Sequence, residues 1–226
     1  MKKQIIIVAG GKGLRMNSVV PKQFLVVGNK PVLMHTLNRF YETDSQINII
    51  LVLPADQIDY WNSLCREYNF KISHQVVYGG ETRFHSVKNG LMKALECDTD
   101  MQSIIGVHDG VRPFVSSEVI NRCYSLCQNH TAVIPAIEVY ETIRQTDGRH
   151  SHTVDRNLYR LVQTPQVFRS AILAAAYEQP FSSLFTDDAS VVEAFGETIY
   201  LTEGNRENIK ITSAFDIVVA NALQNQ

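Results

Sequence analysis

Apolar and polar positions alternate along this chain with two distinct periods. Gln4–Val8 and Ile47–Leu53 are short, continuous runs of Ile, Leu and Val, the second halting at Pro54. Runs of this length with apolar residues on both faces predict strands buried on both sides. Ile72–Tyr78, Ile104–Val107, Ala132–Pro135 and Thr198–Leu201 read as further strands. Between them the period changes to that of a helix. Pro31 opens a stretch in which Leu33, Leu37, Phe40 and Tyr41 share a face. Ile58–Tyr68 is helical, and Val87, Leu91, Ala94 and Leu95 mark a third helix. Ser116 is placed to cap a fourth, with Glu118 in its first turn. Ala171–Tyr177, a helix capped at Thr186, and a last helix opening with the capping box Ser213-Ala214-Phe215-Asp216 complete the set.

Strands alternating with helices predict an α/β fold, a Rossmann-like, mostly parallel sheet with helices on both faces. The rhythm breaks from about 138 to 166, which is polar, lacks a helical period and carries Asp147-Gly148 near its middle. Asp-Gly is a strong turn signal between extended segments, so this region is expected to project as a β-hairpin arm. No linker or charge run divides the chain, and residues 1–226 are expected to form a single domain.

With 45% hydrophobic and 19% charged residues the chain can bury a core. A net charge of −2 without a basic cluster argues against a nucleic-acid partner. Lys2 and Lys3 ahead of Ile5–Val8 imitate a signal peptide, but the apolar run ends at Gly10, short of the roughly 7–15 residues such a segment uses. No stretch approaches the ~20 apolar residues that cross a bilayer. Cys65, Cys97, Cys123 and Cys127 form no CxxC pair, and Cys123 and Cys127 fall on one helix face. Reduced thiols in a cytoplasmic protein are expected.

Ligands of open α/β sheets sit beyond the carboxyl ends of the strands. The loop after the first strand, Ala9-Gly10-Gly11-Lys12-Gly13, suits phosphate, because glycines let backbone N–H groups approach its oxygens closely. It matches neither the P-loop nor the dinucleotide G-x-G-x-x-G pattern. Arg15 and Lys22 follow, a planar fork and a compact charge respectively, with Pro21 fixing the backbone before Lys22. Phosphoryl-type transfer is catalysed chiefly by positioning and charge neutralisation, which such cations supply; the alternative is that both are solvated surface charges.

The blocks Ala9–Met16 and Pro21-Lys22-Gln23-Phe24-Leu25 resemble the signature of the IspD family of cytidylyltransferases. The resemblance runs nearly end to end, through Gly79–Val87, His108-Asp109-Gly110-Val111-Arg112-Pro113, Thr153–Asn157, Thr164-Pro165-Gln166, Thr186–Ala189 and Asn208–Thr212. It implies transfer of CMP from CTP to 2-C-methyl-D-erythritol 4-phosphate, with Mg2+ carried mainly by the triphosphate. It further implies that Arg15, Lys22, Arg156 and Lys210 are catalytic. Ala9, Gly10, Gly11, Gly13, Gly80, Glu81 and Ser86 would bind CTP, and Asp109, Arg112, Thr142 and Thr164 the acceptor. The arm would cross a homodimer interface and bring Thr142 and Arg156 into the partner's site.

From the residues alone, Ser86 could instead cap a helix and Asp109 a turn. Asp187-Asp188 reads as a first-turn carboxylate pair rather than a metal site, and His150 and His152 as polar hairpin residues. Gly110-Val111 replaces the family's usual pair of alanines, Glu141 its frequent aspartate, and Leu14 a second basic residue, all of which bear on acceptor choice. Ribitol 5-phosphate is the rival acceptor: Pro21–Leu25 and Lys30-Pro31 suit it equally, whereas Thr153–Asn157 and Asn208–Thr212 favour methylerythritol phosphate. A non-catalytic nucleotide-binding module would keep the glycine loop without needing a full set of cations from distant segments. A nicotinamide-dependent oxidoreductase would need an acidic residue where Leu53-Pro54 ends the second strand.

Overall fold

A computed structural model describes residues 1–10 and 20–224, with strands β1–β12 and helices α1–α7 in chain order. Strand β1 (Lys3–Val8) is the centre of the main sheet. It pairs in parallel with β4 (Asn48–Leu53) on one side and β6 (Ile104–Asp109) on the other, and β5 (Gln75–Tyr78) extends the sheet beyond β4. The chain thus builds outward from β1 to β5 and then returns to lay β6 on the opposite side of β1. That reversal opens a crevice at the carboxyl ends of β1 and β6, the position where such sheets bind ligands.

Both faces of the sheet are covered, as the apolar runs predict. Ile5 and Ile7 point into a core with α1 (Val32–Thr43), α2 (Ile58–Glu67) and α4 (Ser117–Leu126), through Leu33, Leu37, Phe40, Trp61 and Val119. Ile6, Ile50 and Val52 point the other way, onto α3 (Arg83–Leu95), α5 (Ser170–Ala176) and α6 (Asp188–Ala194). Each fully buried Ile or Leu contributes roughly 1.5–3 kcal/mol, so the two cores dominate the folding energy. Helix α3 lies close to the sheet at Gly90, where an added Cβ would come within 2.6 Å of Ile6 and 2.9 Å of Val52. A third cluster, of Val27, Val32, Val111, Ile211 and Ala220, seats α7 (Ala214–Gln224) beside the small ribbon of β2 (Val26–Val27) and β3 (Lys30–Pro31).

The far side of the sheet departs from the sequence-based expectations. Strand β7 runs over Ala132–Glu138, three residues past the expected Pro135. The hairpin of β8 (Arg144–Thr146) and β9 (Ser151–Thr153) is present, with Asp147 accepting N–H bonds from Arg149 and His150 across the turn. The returning limb does not stay in the arm. Strand β10 (Arg160–Val162) pairs antiparallel with β7, and β11 (Gln166–Arg169) inserts antiparallel against both β6 and β7. Gln163, Thr164 and Gln166 are consequently buried in the sheet region. Their polarity disguised the strand; each is satisfied by hydrogen bonds to distant residues, which no local pattern reveals. Strand β12 (Tyr200–Glu203) runs parallel to β7, two residues later than expected.

Smaller corrections follow from packing and capping. Tyr41 turns outward, 42% exposed, and Met34 and Thr36 take the buried positions on α1. Residues 72–74 lie outside β5. Helix α6 is capped by Asp187, not Thr186, in a reciprocal box with Ser190. At α7, Asp216 accepts from the backbone N–H and hydroxyl of Ser213, which is half of the expected capping box. Ser116 caps α4 as expected, and Cys123 and Cys127 are buried free thiols, pushed up to about 12 chiefly by that burial. No described helix is long and apolar enough to cross a membrane.

Candidate active site

The crevice holds a cavity of about 370 Å³. Ala9 and Gly10 after β1 form one wall, and Lys22 and Gln23 the entrance of the segment that follows the glycine loop. Gly80, Glu81, Thr82, Arg83 and Ser86 border it at the start of α3, and Asp109, Val111 and Lys210 close the far side. Sequence segments some two hundred residues apart therefore meet at one place. Gln23 is buried and donates to the Ala9 carbonyl at 2.8 Å, which ties the segment carrying Lys22 to the end of β1.

The turn before α3 explains one of its two glycines. At Gly80 a Cβ would fall 2.5 Å from the Cβ of His85 and 2.9 Å from its carbonyl carbon, so the turn folds back too tightly for any side chain. Thr82 is the helix cap, accepting from the His85 N–H, so Ser86 is not the helix-start cap. The Ser86 hydroxyl accepts the Gly80 N–H at 3.0 Å and donates to the Thr82 carbonyl at 2.9 Å. It fixes the turn while remaining on the cavity wall. The positive end of the α3 dipole lies here, favourable to an anion.

Asp109 is the last residue of β6 and 7% exposed. Its carboxylate meets Lys210 Nζ at 2.9 Å, Arg112 Nε at 3.2 Å and Arg83 Nε at 3.9 Å. Burial opposes its charge, but Lys210, Arg83 and Arg112 outweigh that and hold the carboxyl well below the usual carboxylate range. The turn-cap alternative does not hold, because the carboxylate is engaged by cations. Arg112 donates also to the Asn208 carbonyl at 2.8 Å, linking the turn after β6 to the segment that carries Lys210. Asn208 donates in turn to the Thr164 carbonyl at 2.9 Å.

Arg83 is the main site residue that the sequence reading left without a role. Its two terminal nitrogens pair with both oxygens of Asp188, at 2.9 and 2.6 Å, and its Nε faces Asp109. Asp188 is fully buried and accepts also from the Tyr177 hydroxyl at 2.6 Å. Burial works against the Arg83 charge, yet Asp188 and then Asp109 raise its pKa above the ordinary arginine value. Asp188 is therefore more than a helix-end carboxylate: it is the buried counter-charge of a cavity cation. The block Gly79–Val87 contained Arg83, but its partner lies 105 residues away.

The expected site residues fall into three groups. Ala9, Gly10, Lys22, Gly80, Glu81, Ser86, Asp109 and Lys210 line the cavity, with Arg112 and Thr164 bonded directly to Asp109. Thr142 and Arg156 stand exposed on the arm, outside the cavity lining, where Arg156 donates to the Tyr140 carbonyl. Gly11, Gly13 and Arg15 lie outside the described residues. His150 and His152 are exposed on the hairpin.

Comparison with known proteins gives a consistent result. Residues 4–226 match the family described as IspD: 2-C-methyl-D-erythritol 4-phosphate cytidylyltransferase. Proteins of that name from Bacteroides thetaiotaomicron and Bacteroides fragilis are 58% and 57% identical over 223 residues, covering 99% of this chain and 100% of each relative. A crystal structure of 4-diphosphocytidyl-2C-methyl-D-erythritol synthase from Anaerococcus prevotii is 33% identical with a TM-score of 0.81, covering 100% of this chain and 96% of that one. The structure of 2-C-methyl-D-erythritol 4-phosphate cytidylyltransferase from Thermus thermophilus is 30% identical with a TM-score of 0.79, covering both chains fully.

Proposed function

We propose, because this chain belongs to the IspD family of 2-C-methyl-D-erythritol 4-phosphate cytidylyltransferases, that it transfers the cytidylyl group of CTP to 2-C-methyl-D-erythritol 4-phosphate. Pyrophosphate is released, and the product serves non-mevalonate isoprenoid synthesis. The observation that carries the reading is the meeting of Lys22, Arg83, Lys210 and Asp109 around one cavity at the switch point of the sheet.

An oxygen of the acceptor phosphate attacks the α-phosphorus of CTP. The new P–O bond forms as the bond to the bridging oxygen breaks, and that electron pair leaves with pyrophosphate. The attacking oxygen is already anionic near neutral pH, so no side chain need take a proton. What the chain supplies is positive charge where negative charge crowds together. Lys22 and Arg15 serve the triphosphate, and Lys210 orients the incoming phosphate. Ala9, Gly10, Gly11 and Gly13 are assigned to phosphate binding, and Gly80, Glu81 and Ser86 to the base and ribose. Asp109 grips acceptor hydroxyls, with Arg112 and Thr164 beside it.

Mg2+, brought in with the nucleotide, would supply positive charge that offsets repulsion within the triphosphate. The donor set fits an ion carried by the nucleotide rather than by a protein cage. No group of three or more His, Cys, Asp or Glu side chains is gathered among the described residues, and Asp109 is engaged by Lys210 and Arg112.

The exposed arm suits a homodimer in which Thr142 and Arg156 enter the partner's cavity and hold the acceptor phosphate, since neither lines the cavity of its own chain. We read the chain as one nucleotidyltransferase domain bearing this arm, working in the cytoplasm, where its free thiols stay reduced. Incubation with CTP, Mg2+ and either methylerythritol 4-phosphate or ribitol 5-phosphate, followed by pyrophosphate release, tests the reading. Turnover with methylerythritol phosphate is expected; preference for ribitol phosphate would overturn the acceptor.

A further inference from the structure

One histidine joins the two acceptor-facing residues Asp109 and Arg112, and its neighbours dictate where its hydrogen sits. The His108 ring is fully buried, edge-on against Phe40 with 4.8 Å between ring centres. Its Nε2 lies 3.0 Å from the Arg112 carbonyl oxygen. A carbonyl can only accept, so Nε2 carries the hydrogen. Burial holds the ring neutral, down to a pKa of about 4, so Nδ1 is a bare acceptor. Thr164 Oγ1 lies 3.0 Å from Nδ1 and 3.1 Å from the Asp109 backbone nitrogen. The hydroxyl has one hydrogen; it must point at Nδ1, and the oxygen accepts from Asp109.

We propose that His108 is a positioning residue for the acceptor, fixing the Asp109–Arg112 turn from both ends, and that Thr164 acts through the Asp109 backbone rather than by donating to the acceptor. This rests on the reading that Asp109 grips the acceptor. Three cations pull on that carboxylate, two at one oxygen and one at the other, and a carboxylate free to follow them would lose its aim. The relay anchors its backbone without adding a further charge. An imidazole does this with one rigid side chain, because its two ring nitrogens diverge, one a donor and the other an acceptor. Glutamine can imitate the donor to Arg112, and asparagine the acceptor for Thr164, but neither does both.

The test is a cycle of His108→Gln, His108→Asn, Thr164→Val and the double variants, each assayed for KM of both substrates. Each single change should raise the acceptor KM roughly tenfold while the CTP KM stays within about twofold, and each double should be no worse than its worse single. Losses that multiply in the doubles would mean that Thr164 touches the acceptor directly and would overturn the relay. Equal rises in both KM values would reduce His108 to a packing role. Imidazole nitrogen NMR on the unmodified full chain gives a readout independent of folding of the variants. A bare Nδ1 with protonated Nε2 from pH 6 to 8 is expected, and the opposite tautomer refutes the assignment. Asp109→Asn separates the two readings: an unchanged acceptor KM there overturns the acceptor site itself, whatever the tautomer and the cycle show.

Discussion

Acidification should destabilise this protein through His108 in an amount the structure allows to be worked out. In the unfolded chain the imidazole takes up a proton near 6.5, whereas in the folded protein burial delays this until about 4. Between those values the unfolded state binds more protons, so stability rises with pH and falls on acidification. His108 is fully buried, and no screening discount applies. At about 1.4 kcal/mol per pH unit the loss is about 2 kcal/mol at pH 5 relative to pH 7.5, approaching about 3 near pH 4. With a urea dependence of about 2 kcal/mol per molar, the midpoint should move by about 1 M between pH 7.5 and 5. The assay compares urea unfolding of the unaltered protein with His108→Gln, which cannot titrate. His35 and His74, whose pKa values burial also lowers, are common to both proteins and cancel. Asp109 stays ionised in both over this range. Whatever its midpoint at pH 7.5, the variant should shift by about 1 M less. Parallel pH dependences for the two proteins would refute the reasoning.

Lys22→Ala should cut turnover by at least ~10²-fold with folding intact, as for loss of one transition-state donor, checked by pyrophosphate release. Arg156→Ala should mainly raise the acceptor KM, and mixed dimers of the two variants should regain activity; confirmed dimers without rescue would exclude an arm that completes the partner's site. Asp188→Ala leaves the Arg83 charge without its buried partner. Because the Arg83 side chain is 31% exposed, water relieves part of that loss, and a destabilisation of about 3 kcal/mol, at the low end for breaking such pairs, is expected in urea unfolding. Gly90→Val forces a side chain against Ile6 and Val52 and should cost at least 1–3 kcal/mol by the same measurement; a neutral result would mean that α3 can lift from the sheet.

The alternation of apolar runs and helical faces determined the central architecture by itself. Ile5–Ile7, Ile49–Leu53 and Ile104–Val107 are apolar on both faces, and only a covered, largely parallel sheet buries them. Ser116 and the Asp147 turn were legible because caps and turns are set by neighbours in sequence. The longer blocks were legible as a family, whereas the glycine loop and Lys22 by themselves left phosphate chemistry and solvated surface charge both open.

Tertiary structure decided what depended on partners far away in the chain. Strand β11 carries buried Gln166, whose amide donates to Asp187 and whose carbonyl accepts from the Ala189 N–H, so a polar residue sits in the sheet at no cost that a hydrophobicity pattern could register. Arg83 gained its role from Asp188 and Tyr177, and His108 from Thr164 and the Arg112 carbonyl. Apolar burial is nondirectional and leaves a periodic trace along the chain. A buried charge or imidazole is stable only with a partner at hydrogen-bonding distance, and the fold alone brings those partners together.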